Sequence, residues 1–132
     1  MDKKALILIV DDNAEYRELL TWILELQGFQ TISAKGGREA VALAIECQPE
    51  LVLMDLNMPG MNGYEATRAI HSHRRGRKIP VVAVSADCVD CGSNAWAGTG
   101  FIAFLAKPFE QDMLLEIMTR VLTNRVESTR AA

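Results

Sequence analysis

Leu51-Val52-Leu53-Met54-Asp55 and Leu6-Ile7-Leu8-Ile9-Val10-Asp11-Asp12 are the two stretches on which the reading of this chain turns. Each is a short run of apolar residues with no polar alternation, the pattern of a strand buried on both faces of a parallel sheet, and each ends in carboxylates. Two such strands lying parallel deliver Asp11, Asp12 and Asp55 to one edge of one sheet. Carboxylates crowded in a cleft repel one another, so one must take up a proton or a cation must neutralise the set. A hard divalent ion answers that need. Acidic oxygens, a backbone carbonyl and retained waters make an octahedral Mg²⁺ shell that leaves room for phosphate oxygens. The expected substrate group is therefore a phosphoryl.

Outward from these strands the apolar pattern alternates between short runs and helical periodicity, the signal of a parallel sheet covered by helices. Strand one is expected at about residues 5–10, and helix one at Ala14 to Gln27 with Gly28 as its stop. Strand two spans Gln30 to Ala34, helix two Gly37 to Cys47, and strand three Leu51 to Met54. After the turn-rich loop Asn57-Met58-Pro59-Gly60-Met61-Asn62-Gly63, helix three covers Tyr64 to Arg74. Strand four is Pro80 to Val84 and strand five Phe101 to Ala106. Between them, residues 87–99 are a poor helix on propensity and a candidate mobile element. In the last helix Phe109, Met113, Leu114, Ile117, Met118, Val121 and Leu122 recur at helical spacing and read as core. Residues 126–132 are expected to fray, which leaves one domain over residues 1–125.

A chain of 132 residues, 49% hydrophobic, suits one α/β domain with a full core. Its net charge of −3 argues against a nucleic-acid surface. The one basic run, His71-Ser72-His73-Arg74-Arg75-Gly76-Arg77-Lys78, falls where helix three should end and complements the helix dipole there. No segment is long and apolar enough for a membrane span, and no signal region opens the chain. The three cysteines, Cys47, Cys88 and Cys91, are too few for a disulfide framework and fit a reducing compartment. Cys88-Val89-Asp90-Cys91 lacks the second ligand pair that zinc would need. The expected location is cytoplasmic, with neither membrane nor nucleic-acid contact.

A doubly wound five-stranded sheet binds ligands at the carboxyl ends of its strands. Asp11, Asp12, Asp55, Ser85 and Lys107 all follow strands at that edge. Three uses of such an edge remain open on the residues alone. A signalling module would accept a phosphoryl on an aspartate and bind partners differently afterwards. A Mg²⁺-dependent small-molecule phosphatase with an Asp nucleophile would normally want a general acid two residues after it, where Asn57 stands. A flavodoxin-like cofactor binder would want a Ser/Thr-rich loop where Asp12-Asn13-Ala14-Glu15 stands.

Four motifs carry a resemblance: Ile9-Val10-Asp11-Asp12-Asn13, Met54-Asp55-Leu56-Asn57-Met58-Pro59-Gly60-Met61-Asn62-Gly63, Val84-Ser85-Ala86 and Ala106-Lys107-Pro108-Phe109. Over about residues 5–122 the chain resembles the receiver domain of two-component response regulators. The resemblance implies a flavodoxin-like (βα)5 fold with strand order 2-1-3-4-5. It implies Asp55 as phosphoacceptor, taking its phosphoryl from a histidine of a kinase or phosphotransfer protein. Mg²⁺ would be held by Asp12 directly, by Asp11 chiefly through water, by Asp55 and by the Asn57 backbone carbonyl. Lys107 would pair with Asp55 and then with the phosphate, and Ser85 would bind a phosphoryl oxygen. Phe104 matches the switch aromatic, and the Lys107-Pro108 peptide is often cis in the family. Ser85 stands where Thr is more frequent, and Phe104 where Tyr is. The stretch Met54 to Ala66 is similar to those of hybrid kinases and phosphorelay receivers. An output domain or target protein is implied, and no output domain is expected within the chain after residue 125.

Helix one is apolar beyond a single core-facing stripe. With Leu19, Ile23 and Leu26 read as the inward face, Trp22 or Tyr16 is expected at the surface as a docking residue for a histidine-bearing partner.

Overall fold

The computed structural model describes residues 5–86 and 100–131, with side chains up to residue 123. Five parallel strands form one sheet in the order β2-β1-β3-β4-β5. They are β1 (Leu6–Val10), β2 (Gln30–Ala34), β3 (Leu51–Asp55), β4 (Val81–Ser85) and β5 (Phe101–Ala106). Four helices are described: α1 (Ala14–Leu26), α2 (Gly37–Cys47), α3 (Gly63–Ser72) and α4 (Gln111–Ala131). The expected poor helix and the Cys88–Cys91 pair fall in residues 87–99, outside the described residues.

The period-two geometry of a strand divides the core into two layers. Leu8 and Val10 of β1, with Val52 and Met54 of β3, face Ala40 and Ala44 of α2 and Ala66 and Ile70 of α3. Ile7 and Ile9, with Leu51 and Leu53, face Leu20, Ile23 and Leu24 of α1 and Leu114, Met118 and Val121 of α4. Both faces of β1 and β3 are therefore buried, which explains why their sequences carry no polar alternation.

The bounds of α1, α3 and β4 differ from expectation by one or two residues, and those of β3 and α4 differ for plain physical reasons. Asp55 pairs with Val84 as the last residue of β3, one position further than the apolar run reaches, so the carboxylate is carried by the sheet itself. Helix α4 continues to Ala131, through residues expected to fray, since nothing from Glu127 to Ala131 is a glycine or proline that would stop it. On α1 the inward face is Leu20, Ile23 and Leu24, whereas Leu19 and Leu26, expected inside, are exposed. Residues 20, 23 and 24 share the i, i+3, i+4 arc. Leu19, Trp22 and Leu26 fall on a second arc about 60° wide at 100° per residue.

Candidate phosphoacceptor site

The site is built where β1 and β3 end side by side. Asp11 and Asp55 are buried and Asp12 is exposed, and one carboxylate oxygen from each lies within 4.8 Å of the others. The turn after β1 is held by short polar links. The Asn13 N–H donates to Asp11 Oδ1 at 2.9 Å, and Asn13 Oδ1 accepts from the Tyr16 N–H at 3.1 Å as the N-cap of α1. Arg17 Nη1 donates to the Asp11 carbonyl at 2.7 Å. The strand end and the first turn of the helix thus form one unit.

Asp55 is positioned from the other side by α3. Asn62 and Glu65 make a reciprocal capping box, and the Gly63 N–H donates to the Leu56 carbonyl at 3.0 Å. A Cβ at Gly63 would run into the Asp55 carbonyl oxygen, so only glycine lets the helix start this close to the strand end. In the sequence Gly63 reads only as a turn residue. A close backbone approach leaves no mark in a sequence beyond the glycine itself.

Lys107 reaches the carboxylates from just past the end of β5, and a cis peptide joins it to Pro108. Its Nζ lies 2.7 Å from Asp11 Oδ2 and 3.8 Å from Asp55 Oδ1, so the pairing expected with Asp55 is made chiefly with Asp11. Asp55 is left with a long contact of 3.4 Å from the Asn57 N–H. Burial, followed by the repulsion of Asp11 and Asp12, outweighs Lys107 and the Asn57 N–H and raises the Asp55 carboxyl from 3.8 to about 6. Such a set carries more negative charge than its own cation stabilises, the condition a divalent ion fits.

Ser85, buried at the end of β4, accepts from Asn57 Nδ2 at 3.3 Å. The Asn57 side chain thus sits against the hydroxyl, a contact that the spacing of 57 and 85 in the sequence does not reveal. Phe104 is half-buried against the α2/α3 core and meets Phe101 edge to face at 6.5 Å. Trp22 is 63% exposed, the surface position expected of it from the sequence. Tyr16 is not at the surface in the same way. It is half-buried, with Phe109 edge to face at 5.9 Å and Lys107 Nζ 4.2 Å from its ring centroid.

The response regulator receiver domain profile matches residues 7–119, and the chain belongs to that family. It is 37% identical to protein PilH of Pseudomonas aeruginosa over 118 residues, 89% of this chain and 98% of that protein. It is 32% identical to the polar-differentiation response regulator DivK of Brucella ovis over 116 residues, 88% of this chain and 94% of that one. Among solved structures it is similar to the receiver domain of a sensor histidine kinase from Pseudomonas aeruginosa, which has a magnesium ion coordinated in its active-site cleft. That likeness has a TM-score of 0.83 at 29% identity and covers 92% of this chain and 99% of that one. The chemotaxis protein CheY4 of Vibrio cholerae also matches with a TM-score of 0.83, at 28% identity, over 90% of this chain and 99% of that one. The chain is a phosphoacceptor domain of two-component signalling, and the small-molecule phosphatase reading gains no support from these relatives. No helix among the described residues is long and apolar enough to cross a membrane.

Proposed function

We propose that Asp55 is the phosphoacceptor and that it works with Mg²⁺ held by Asp11, Asp12, Asp55 and the Asn57 carbonyl. The observation that carries this reading is the state of Asp55: buried, weakly hydrogen-bonded, raised to about 6, and within 4.8 Å of two further carboxylates. Mg²⁺ supplies charge neutralisation between these carboxylates and the incoming phosphoryl oxygens. Asp55 donates an oxygen lone pair to phosphorus while the P–N bond of a phosphohistidine breaks. The bonding pair returns to the imidazole nitrogen. Lys107 follows the charge from Asp11 to a phosphoryl oxygen, and the Ser85 hydroxyl turns from Asn57 to donate to another. Phe104 then fills the space beside Ser85.

The donor is a histidine kinase or a histidine phosphotransfer protein. The exposed stripe Leu19, Trp22 and Leu26 on α1 is the proposed docking face for its helices, with Trp22 as the aromatic anchor and Tyr16 withdrawn from that role.

Acetyl phosphate with Mg²⁺ should add one phosphoryl group to the protein by intact mass, and chelation or Asp55→Ala should abolish the gain. An equal gain in Asp55→Ala overturns the assignment. Trp22→Ala should leave that labelling unchanged while slowing transfer from a phosphorylated protein donor about thirtyfold, the equivalent of about 2 kcal/mol for an aromatic anchor. Equal slowing with both donors would place Trp22 in the fold instead of the interface.

A further inference from the structure

We propose that Tyr16 is a positioning residue of the phosphorylation site: its ring face, together with Asp11, holds the Lys107 ammonium beside Asp55. The inference rests on Asp55 being the phosphoacceptor. A lysine ammonium is a compact, strongly hydrated charge on four flexible carbons, and a single carboxylate would not stop it from swinging into water. Here three groups surround it. Nζ is 2.7 Å from Asp11 Oδ2, 3.8 Å from Asp55 Oδ1 and 4.2 Å from the Tyr16 ring centroid. The ring occupies the side that water would otherwise fill, and its electron-rich face attracts the cation. The Lys107 side chain is consequently only 15% exposed.

The ring is itself fixed at both ends. Its backbone N–H is bound by the α1 N-cap Asn13, and its side chain packs edge to face on Phe109 at 80°. The phenol also feels the site. Burial first, and then the Asp11 and Asp55 charges, push its pKa up, so the phenol is neutral at neutral pH. Attraction to a ring face is broad compared with a hydrogen bond. The ammonium can therefore move from Asp11 to a phosphoryl oxygen on Asp55 while keeping the ring beneath it. Asp11 sets where Lys107 waits, and Tyr16 keeps it near Asp55 during the move.

Two readings of the same variants test this. In carbon-proton correlation spectra the Lys107 ε-methylene protons of the wild type should be shifted upfield by the ring current, outside the envelope of the other lysines. Tyr16→Phe should keep that shift, and Tyr16→Leu should lose it. With acetyl phosphate and Mg²⁺, Tyr16→Leu should label about three- to tenfold more slowly, and Tyr16→Phe should restore most of the rate. Packing against Phe109 alone would be served as well by Leu as by Phe. A Lys107 signal inside the envelope in wild type, or wild-type labelling in Tyr16→Leu, overturns the proposal. If Tyr16→Leu does not fold, Tyr16→Met fills the same space without a ring face and decides the same question. If the wild type takes up no phosphoryl, the Asp55 assignment fails, and the ring-current shift still decides where Lys107 is held.

Discussion

The ends of β1 and β3 carry buried carboxylates a few ångströms apart, yet they are held in opposite ways. Asp11 receives a lysine at 2.7 Å and a backbone N–H at 2.9 Å, each a good charge-assisted hydrogen bond. Asp55 receives the same lysine at 3.8 Å and an N–H at 3.4 Å, and burial first of all pushes its carboxyl up to about 6. Asp11 is anchored to the protein through one bond to each of its oxygens, which fixes the carboxylate and still leaves lone pairs that face a metal site. Asp55 keeps lone pairs uncommitted in a buried, negatively charged setting, as an oxygen nucleophile must. Burial is the first cause of the rise at Asp55, and the shared cation, lying closer to Asp11, does not cancel it.

Removing that cation is the strongest way to break the contrast. Lys107→Ala should slow acetyl phosphate labelling of Asp55 by about a hundredfold, the scale of losing one charge-stabilising donor. It should also uncouple the modification from β5. Matched spectra of the variant before and after phosphorylation are the expected result, against different ones for wild type, and full wild-type shifts in the variant would contradict it.

Asp12 tests the repulsive side of the comparison. Asp12→Ala should weaken Mg²⁺ binding by about tenfold or more, because one anionic ligand is gone. The metal-free protein should melt higher, because Asp55 loses a like charge. Trp fluorescence titrated with Mg²⁺ and a thermal scan in chelator measure the two effects, and superimposable curves for variant and wild type would refute them.

The smallest effect is a pH trend in the metal-free protein. Asp55 takes its proton at about 6 when folded and at the ordinary 3.8 when unfolded. Between those values the folded state binds more protons, so this group's contribution to stability grows as pH falls and is lost as pH rises through about 6. Asp55→Asn cannot titrate there. The melting temperature of wild type minus that of Asp55→Asn, in chelator, should therefore rise as pH is lowered from above 6 toward 4. A constant difference would mean that the Asp55 pKa does not change on folding and would refute the trend.

Much of this molecule is written locally. The unbroken apolar runs Leu6–Val10 and Leu51–Met54 declare two-sided burial, and the carboxylates at the strand ends declare the charge problem that a metal and a phosphoryl answer. These features depend on spacing within a few residues. The strand order was legible only through the family resemblance, whose motifs the sheet brings to one edge.

What only the tertiary structure decided depends on distances between segments far apart in sequence. Lys107 and Asp11 are 96 positions apart, and nothing in either segment says that the ammonium prefers Asp11 to Asp55. The inward face of α1 turned on which of two apolar arcs met α4 and the sheet, and the arc holding Leu20, Ile23 and Leu24 won over Leu19 and Leu26. That rotation carried Trp22 into solvent and brought Tyr16 over Lys107. A helix with apolar residues on two arcs has two faces it can bury, and only the packing of the remaining chain selects between them.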